Sequence, residues 1–247
     1  MSQQIFAHRG ASGYAPENTL ESFDLAAKMG AAGVELDVHL TKDDVLVVAH
    51  DETIERVSDG EGFIVEKTLG ELKRYHFNKT HPEYENATIP TLREVFELLK
   101  PTGLHINIEL KNSYIDYPGL EEKTIALAAA CGMLNRVVFS SFNHISMTRI
   151  KAMDESLYCG LLYEATMLHP WSYAVELGMN ALHPHFSELL STPRECEIAH
   201  RAGIELNPWT VNTEKDLRAV IAAGADRIIT NYPDVGVKLL AQAGPRD

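Results

Sequence analysis

The sequence predicts an α/β protein, a (β/α)8 barrel, and three observations predict it. Short runs rich in β-branched residues recur eight times along 247 residues, and amphipathic stretches that end near glycine fill most of the gaps. One further connection is too short for a parallel crossover and marks a hairpin added to the alternation. A doubly wound open sheet is the alternative arrangement of the same elements. At this length about 70 to 75% of the unfolded surface can be buried. One domain over residues 1–247 therefore needs neither disulfides nor a structural metal, and a metal here serves chemistry.

The first unit is a strand at residues 5–9 followed by a helix at 19–29, with Asn18 as its expected N-cap, Glu21 three residues on and Gly30 closing the far end. Further strands are expected at 33–40, 104–110, 136–141, 159–163, 181–185, 205–211 and 227–230. Helix starts are marked by Thr91 with Glu94, Thr192 with Pro193 and Glu195, and Thr213 with Asp216, while Gly103, Gly132, Gly203 and Gly224 fall near helix ends. The hairpin joins residues 34–40 to 45–50. With Asp43 and Asp44 as a two-residue turn, paired positions sum to 87, which sets His50 opposite Asp37 and Glu52 opposite Glu35. Residues 52–90 carry few strand signals and read as an inserted subdomain after the His50 strand, placed to wall one side of the barrel mouth.

Lys and Arg number 22 against 35 Asp and Glu, a formal charge of −13 that disfavours nucleic acid or anionic lipid as partners. A substrate carrying phosphate must then meet a local positive site. Cys131, Cys159 and Cys196 are odd in number and lack CxxC spacing, so a disulfide framework or zinc site is not expected. With no signal-like start and no apolar run of about 18 residues, the expected setting is the cytoplasm.

The run Val34-Glu35-Leu36-Asp37-Val38-His39-Leu40 alternates strictly, apolar on one face and Glu35, Asp37 and His39 on the other. A solvated sheet edge produces the same pattern. A second strand, Ile106-Asn107-Ile108-Glu109-Leu110-Lys111, places Glu109 and Lys111 on one face at its end. Glu35, Asp37 and Glu109 converging from neighbouring strands make an oxygen-rich pocket suited to a hard divalent cation, Mg²⁺ or Ca²⁺, with Lys111 beside it for an anion. An ion pair between Glu109 and Lys111 alone would need no metal. His8, followed by Arg9 and Gly10, and His50, followed by Asp51, stand at strand ends. Two imidazoles, two cations and three carboxylates match what displacement at a phosphodiester requires: charge neutralisation, a proton acceptor and a proton donor.

His8-Arg9-Gly10, Ala15-Pro16-Glu17-Asn18-Thr19, Glu35-Leu36-Asp37, Thr41-Lys42-Asp43, His50-Asp51 and Ile108-Glu109-Leu110-Lys111 resemble, in order and spacing, the signature of the glycerophosphodiester phosphodiesterase family. Ser140-Ser141-Phe142, Trp209-Thr210-Val211-Asn212 and Thr230-Asn231-Tyr232-Pro233-Asp234 extend the resemblance to about residues 4–240. The resemblance implies a TIM barrel with a small inserted subdomain that hydrolyses glycerophosphodiesters to sn-glycerol 3-phosphate and an alcohol. It implies Glu35, Asp37 and Glu109 as metal ligands, His8 and His50 as the acid/base pair, and Arg9 and Lys111 as phosphate binders. Trp209 would pack on the glycerol carbons, although a tryptophan late in a strand also serves as core. Glu17 would order the first loop or reach the metal shell. Phe142 and His183 stand where they could line the same cavity, and the spacing of His183 and His185 permits a metal pair. Rival readings are a barrel phospholipase of lysophospholipase D or phosphoinositide type, which needs an apolar rim that the sequence does not reveal, a non-catalytic phosphodiester-binding protein, and a sugar-phosphate isomerase on the same fold.

Overall fold

The computed structural model describes residues 3–192 and 194–244. Its strands are β1 (Gln4–His8), β2 (Gly33–Leu40), β3 (Leu46–Val48), β4 (His105–Leu110), β5 (Val137–Ser141), β6 (Cys159–Tyr163), β7 (Ala181–Pro184), β8 (Glu205–Leu206) and β9 (Arg227–Thr230). The helices are α1 (Leu20–Lys28), α2 (Leu69–Leu72), α3 (Leu92–Leu99), α4 (Leu120–Ala130), α5 (His144–Met153), α6 (Pro170–Glu176), α7 (Phe186–Ser191), α8 (Glu195–Arg201), α9 (Glu214–Ala223) and α10 (Pro233–Ala243). Eight parallel strands follow the order β8-β7-β6-β5-β4-β2-β1-β9. Backbone bonds from Asp226 N to Leu206 O (2.8 Å), Ile229 N to Pro208 O (3.0 Å) and Val211 N to Ile229 O (2.9 Å) span the seam between β8 and β9. The result is the expected (β/α)8 TIM barrel, nearly closed. Every residue of β2 is buried, so the alternation of Glu35, Asp37 and His39 belongs to a barrel interior and not to a solvated edge.

Four local features differ from the sequence expectation. Thr19, not Asn18, caps α1, in a reciprocal box with Ser22. Thr192 closes α7, and Arg194 precedes α8 without a side-chain cap; Pro193, read as part of that cap, lies outside the described residues. The hairpin pairs Val38 with Val48 and Leu40 with Leu46, a sum of 86, because the loop holds three residues and ends with Asp44 in the left-handed region at φ 63°. Ala49, not His50, therefore bonds to Asp37, its N–H donating to the Asp37 carbonyl at 3.1 Å. β8 stops at Leu206, although the N–H groups of Asn207 and Trp209 still donate to the carbonyls of Leu182 and Pro184 at 2.9 and 3.1 Å. An isolated bridge still joins His185 to Trp209 farther along.

The main core lies between the barrel and its helices. Between β3 and α3 the chain builds a separate apolar cluster of Val47, Ala49, Ile54, Val57, Ile64, Leu72, Phe77 and Ile89. This segment abuts the loop after β1, where Tyr84 OH donates to the Tyr14 carbonyl at 3.2 Å. Among the described residues no helix is long and apolar enough to cross a membrane.

Candidate active site

Ladder pairing assembles the site at the strand ends. β1 pairs with β2 so that His8 neighbours Glu35, and β2 pairs with β4 so that Asp37 neighbours Glu109. Candidate ligand oxygens of Glu35, Asp37 and Glu109 all lie within 4.8 Å of one another, and all three side chains are buried. Among the described residues this is the one group of three or more such side chains, and His183 and His185 belong to none. His183 instead accepts from Asn207 Nδ2 at 2.9 Å inside the barrel, while His185 pairs with Ser187 at the rim. His183 therefore does not line the site, in contrast to Phe142.

Each carboxylate has a different partner. Glu35 Oε2 accepts the Arg9 backbone N–H at 3.0 Å, and His8 Nε2 stands 3.9 Å from the same oxygen. Burial, reinforced by Asp37 and Glu109, raises the Glu35 carboxyl well above the usual range against the pull of Arg9. Asp37 Oδ2 accepts from Asn18 Nδ2 at 2.8 Å and faces Arg9 Nε at 3.5 Å. Burial would raise its carboxyl too, but His50, Lys111 and Arg9 together hold it low. Asp37 Oδ1 is buried without a hydrogen-bond partner. Glu109 Oε1 accepts from Lys111 Nζ at 2.8 Å; burial and Asp37 still leave its carboxyl raised. Lys111 stands 3.8 Å from Asp37 Oδ1, and although burial opposes its charge, Glu109 and Asp37 keep the ammonium protonated beyond the ordinary lysine range.

The loop after β1 is tightly determined. Arg9 adopts φ 54°, a conformation that costs about 1 to 3 kcal/mol and persists only where the surroundings impose it. Here its N–H is held by Glu35 and its carbonyl by Asn18 N and Ser22 Oγ. At Gly10, φ 80°, an added Cβ would collide with Ser22. Glu17 does not join the acidic cluster: it pairs with Arg9 Nη1 at 2.9 Å and so orders the loop.

The two histidines differ in setting. His8 Nδ1 donates to Asn231 Oδ1 at 2.7 Å, and burial, with Arg9 adding to it, lowers its pKa to about 3. His50 Nδ1 pairs with Asp51 Oδ1 at 2.5 Å. His39 anchors the backbone there, its Nε2 donating to the His50 carbonyl at 3.2 Å while Nδ1 accepts from Tyr117 OH at 3.0 Å. His50 thus arrives through the bend after β3, not through strand pairing. Both histidines open on one cavity of about 130 Å³ with Arg9, Glu35, Glu109, Asn107, Phe142, Leu162, Glu164 and Trp209. The Trp209 indole donates to the His183 carbonyl at 2.8 Å and packs edge-on to Phe142. Lys111, bonded to Glu109, is not among the residues that line this cavity. Asn231, Asn18, His39 and Arg56 escaped the sequence reading as site residues; Asn18 and Asn231 sit inside segments that it had singled out.

Fold and site together define a barrel enzyme arranged around an acidic ligand cluster with two cations and two imidazoles, the equipment of a phosphoester hydrolase. The Glycerophosphoryl diester phosphodiesterase family model matches residues 8–235. A "Glycerophosphodiester phosphodiesterase" of Caldanaerobacter subterraneus subsp. tengcongensis is 41% identical over 245 residues, 99% of this chain and 100% of that one. Another of the same name from Bacillus altitudinis is 37% identical over 96% of this chain and 97% of its own. The solved structure of an Oleispira antarctica phosphodiesterase in complex with the product sn-glycerol-3-phosphate superposes with a TM-score of 0.86, at 32% identity and 97% coverage of both chains. The chain belongs to the glycerophosphoryl diester phosphodiesterase family and is an enzyme of that class.

Proposed function

We propose that this enzyme hydrolyses glycerophosphodiesters to sn-glycerol 3-phosphate and an alcohol, with a divalent cation and with His8 and His50 as proton acceptor and donor. The observation that carries the reading is three buried carboxylates within 4.8 Å, beside a cavity onto which both imidazoles open. The donor set fits Mg²⁺ or Ca²⁺, since it is all oxygen and Asp37 Oδ1 is buried with no hydrogen bond to satisfy it. Glu35, Asp37 and Glu109 would hold the ion, which when bound supplies Lewis-acid stabilisation of charge on the phosphoryl oxygens.

Arg9, on the cavity wall, binds the non-bridging oxygens, Lys111 adds its positive charge to the phosphate site from beside Glu109, and Trp209 packs against the glycerol carbons. The bond to Asn231 commits the His8 Nδ1 proton and leaves the Nε2 lone pair facing the site. Burial keeps that ring neutral, so His8 takes the proton of the nucleophile, whether water or the neighbouring glycerol hydroxyl. The Asp51 carboxylate accepts from His50 Nδ1 and orients the ring, so His50 returns a proton to the departing alcohol oxygen as the P–O bond breaks. We take residues 52–90 as an inserted subdomain, a reading supported by their share of the separate apolar cluster.

A second reading is cleavage of lysophospholipids. It draws support from Tyr114, Ile145 and Leu168, which are 78%, 65% and 92% exposed in the loop or first helical turn after β4, β5 and β6. A coupled assay for sn-glycerol 3-phosphate over several headgroups, with and without EDTA, tests the main proposal. Product from soluble diesters that disappears with chelator and returns with Mg²⁺ or Ca²⁺ supports it. Chelator-resistant turnover removes the metal role, absence of product removes the substrate, and faster cleavage of a lysolipid favours the second reading.

A further inference from the structure

Proton transfer and phosphate binding use His50 and Arg9, yet neither side chain is held in place by its own strand. Both lead to Arg56, which stands in the segment between β3 and α3. Its Nη1 and Nη2 donate to Glu17 Oε2 and Oε1, each at 2.7 Å. On its other side Nε donates to Asp51 Oδ2 at 2.6 Å and Nη2 to Asp51 Oδ1 at 3.2 Å. The remaining partner of each carboxylate is a site residue: Glu17 Oε1 accepts from Arg9 Nη1 at 2.9 Å, and Asp51 Oδ1 from His50 Nδ1 at 2.5 Å. Arg9, Glu17, Arg56, Asp51 and His50 thus form one hydrogen-bonded chain that joins two residues of the cavity lining.

An isolated surface ion pair contributes about 0 to 1 kcal/mol and would deserve no role. This contact differs in geometry, because a planar fork engages two carboxylates at once and fixes the orientation of both. The His50 and Asp51 side chains are 31% and 27% exposed, so little packing would stop Asp51 from turning outward and taking the imidazole with it.

We propose that Arg56 is a positioning residue: by clamping Asp51 and Glu17 it aims His50 at the leaving oxygen and keeps Arg9 against the phosphate. The inference rests on the reading of His50 as proton donor. A lysine cannot substitute, since one ammonium has no fork with which to orient two carboxylates.

The test compares glycerophosphocholine, whose alcohol leaves only with a proton, with the p-nitrophenyl diester of glycerol 3-phosphate, whose phenolate leaves without one. In Arg56→Ala, kcat on glycerophosphocholine should fall about 10- to 100-fold, because misplacing a catalytic group by about 1 Å costs on that order, and KM should change by less. On the nitrophenyl ester the fall should be several-fold smaller. Added guanidinium should restore part of the lost choline-ester activity, and methylammonium should not. Arg56→Lys keeps the stem and charge, and its ratio of losses on the two esters decides the matter if the alanine variant is unfolded. Equal losses on both esters would overturn the aiming of His50, and wild-type behaviour in Arg56→Lys would overturn the positioning role as a whole. Failure of the wild-type enzyme to cleave either ester would instead overturn the assignment of the reaction.

Discussion

Replacing Glu35 by Gln separates a cluster built to hold a cation from one built to hold the barrel together. Glu35 is buried, and burial, Asp37 and Glu109 all raise its carboxyl while Arg9 pulls the other way. The candidate ligand oxygens lie within 4.8 Å of one another. At that spacing and an effective dielectric near 20, two like charges repel by about 3 to 4 kcal/mol. Arg9 offsets much of this, and proton uptake by Glu35 relieves more, so the metal-free enzyme should gain about 1 to 2 kcal/mol when the charge is removed. The amide oxygen can still accept the Arg9 N–H that now bonds to Glu35 at 3.0 Å, so no donor is orphaned. Urea unfolding in EDTA should give a higher midpoint for Glu35→Gln than for the wild type. Added Ca²⁺ or Mg²⁺ should raise the wild-type midpoint and leave the variant nearly unchanged, and the variant should be inactive. A variant that is less stable in EDTA, or that gains as much from the cation as the wild type, refutes the reasoning.

The proton-transfer roles predict that His8→Ala and His50→Ala each lower turnover of glycerophosphocholine by about 10² to 10⁴-fold. A nitrophenyl leaving group should spare the His50 variant alone; near-normal turnover in either variant on the choline ester would contradict its role. Inside the barrel, burial and then Arg227 hold the His183 pKa at about 3, against an ordinary 6.5. Between those values the unfolded chain binds the extra proton, so this contribution to stability is complete above pH 6.5 and is lost as pH falls toward 3. The slope it adds is up to about 1.4 kcal/mol per pH unit. Stability curves for His183→Gln should be flatter across that window, and an unchanged slope would exclude the assignment.

The exposed Tyr114, Ile145 and Leu168 illustrate what a linear reading misses, since their segments adjoin only once β4, β5 and β6 stand side by side. The same holds for the hairpin. Loop length gave the right direction of pairing but a register one residue off, because the third loop residue is an aspartate in the left-handed region, which turn propensities allow without demanding. Asn18 was misread for a related reason. Asn and Thr are both good helix caps, and Thr19 took that place while Asn18 donates to Asp37, a partner that exists only after β2 has docked beside β1.

By itself the sequence determined the barrel, through the spacing of strand and helix patterns. It also marked Glu35, Asp37, Glu109, His8 and His50, because strand periodicity assigns side chains to faces and strand ends form the mouth of such a fold. Tertiary structure alone decided how those groups are held and charged. His8 meets Asn231 across 223 positions of chain, and Arg56 meets Glu17 across 39. Hydrogen-bond direction and desolvation depend on which atoms come within about 3 Å and on how much water is left around them. Neither quantity has a period that can be read along a chain; both arise only when distant strands close into one cavity.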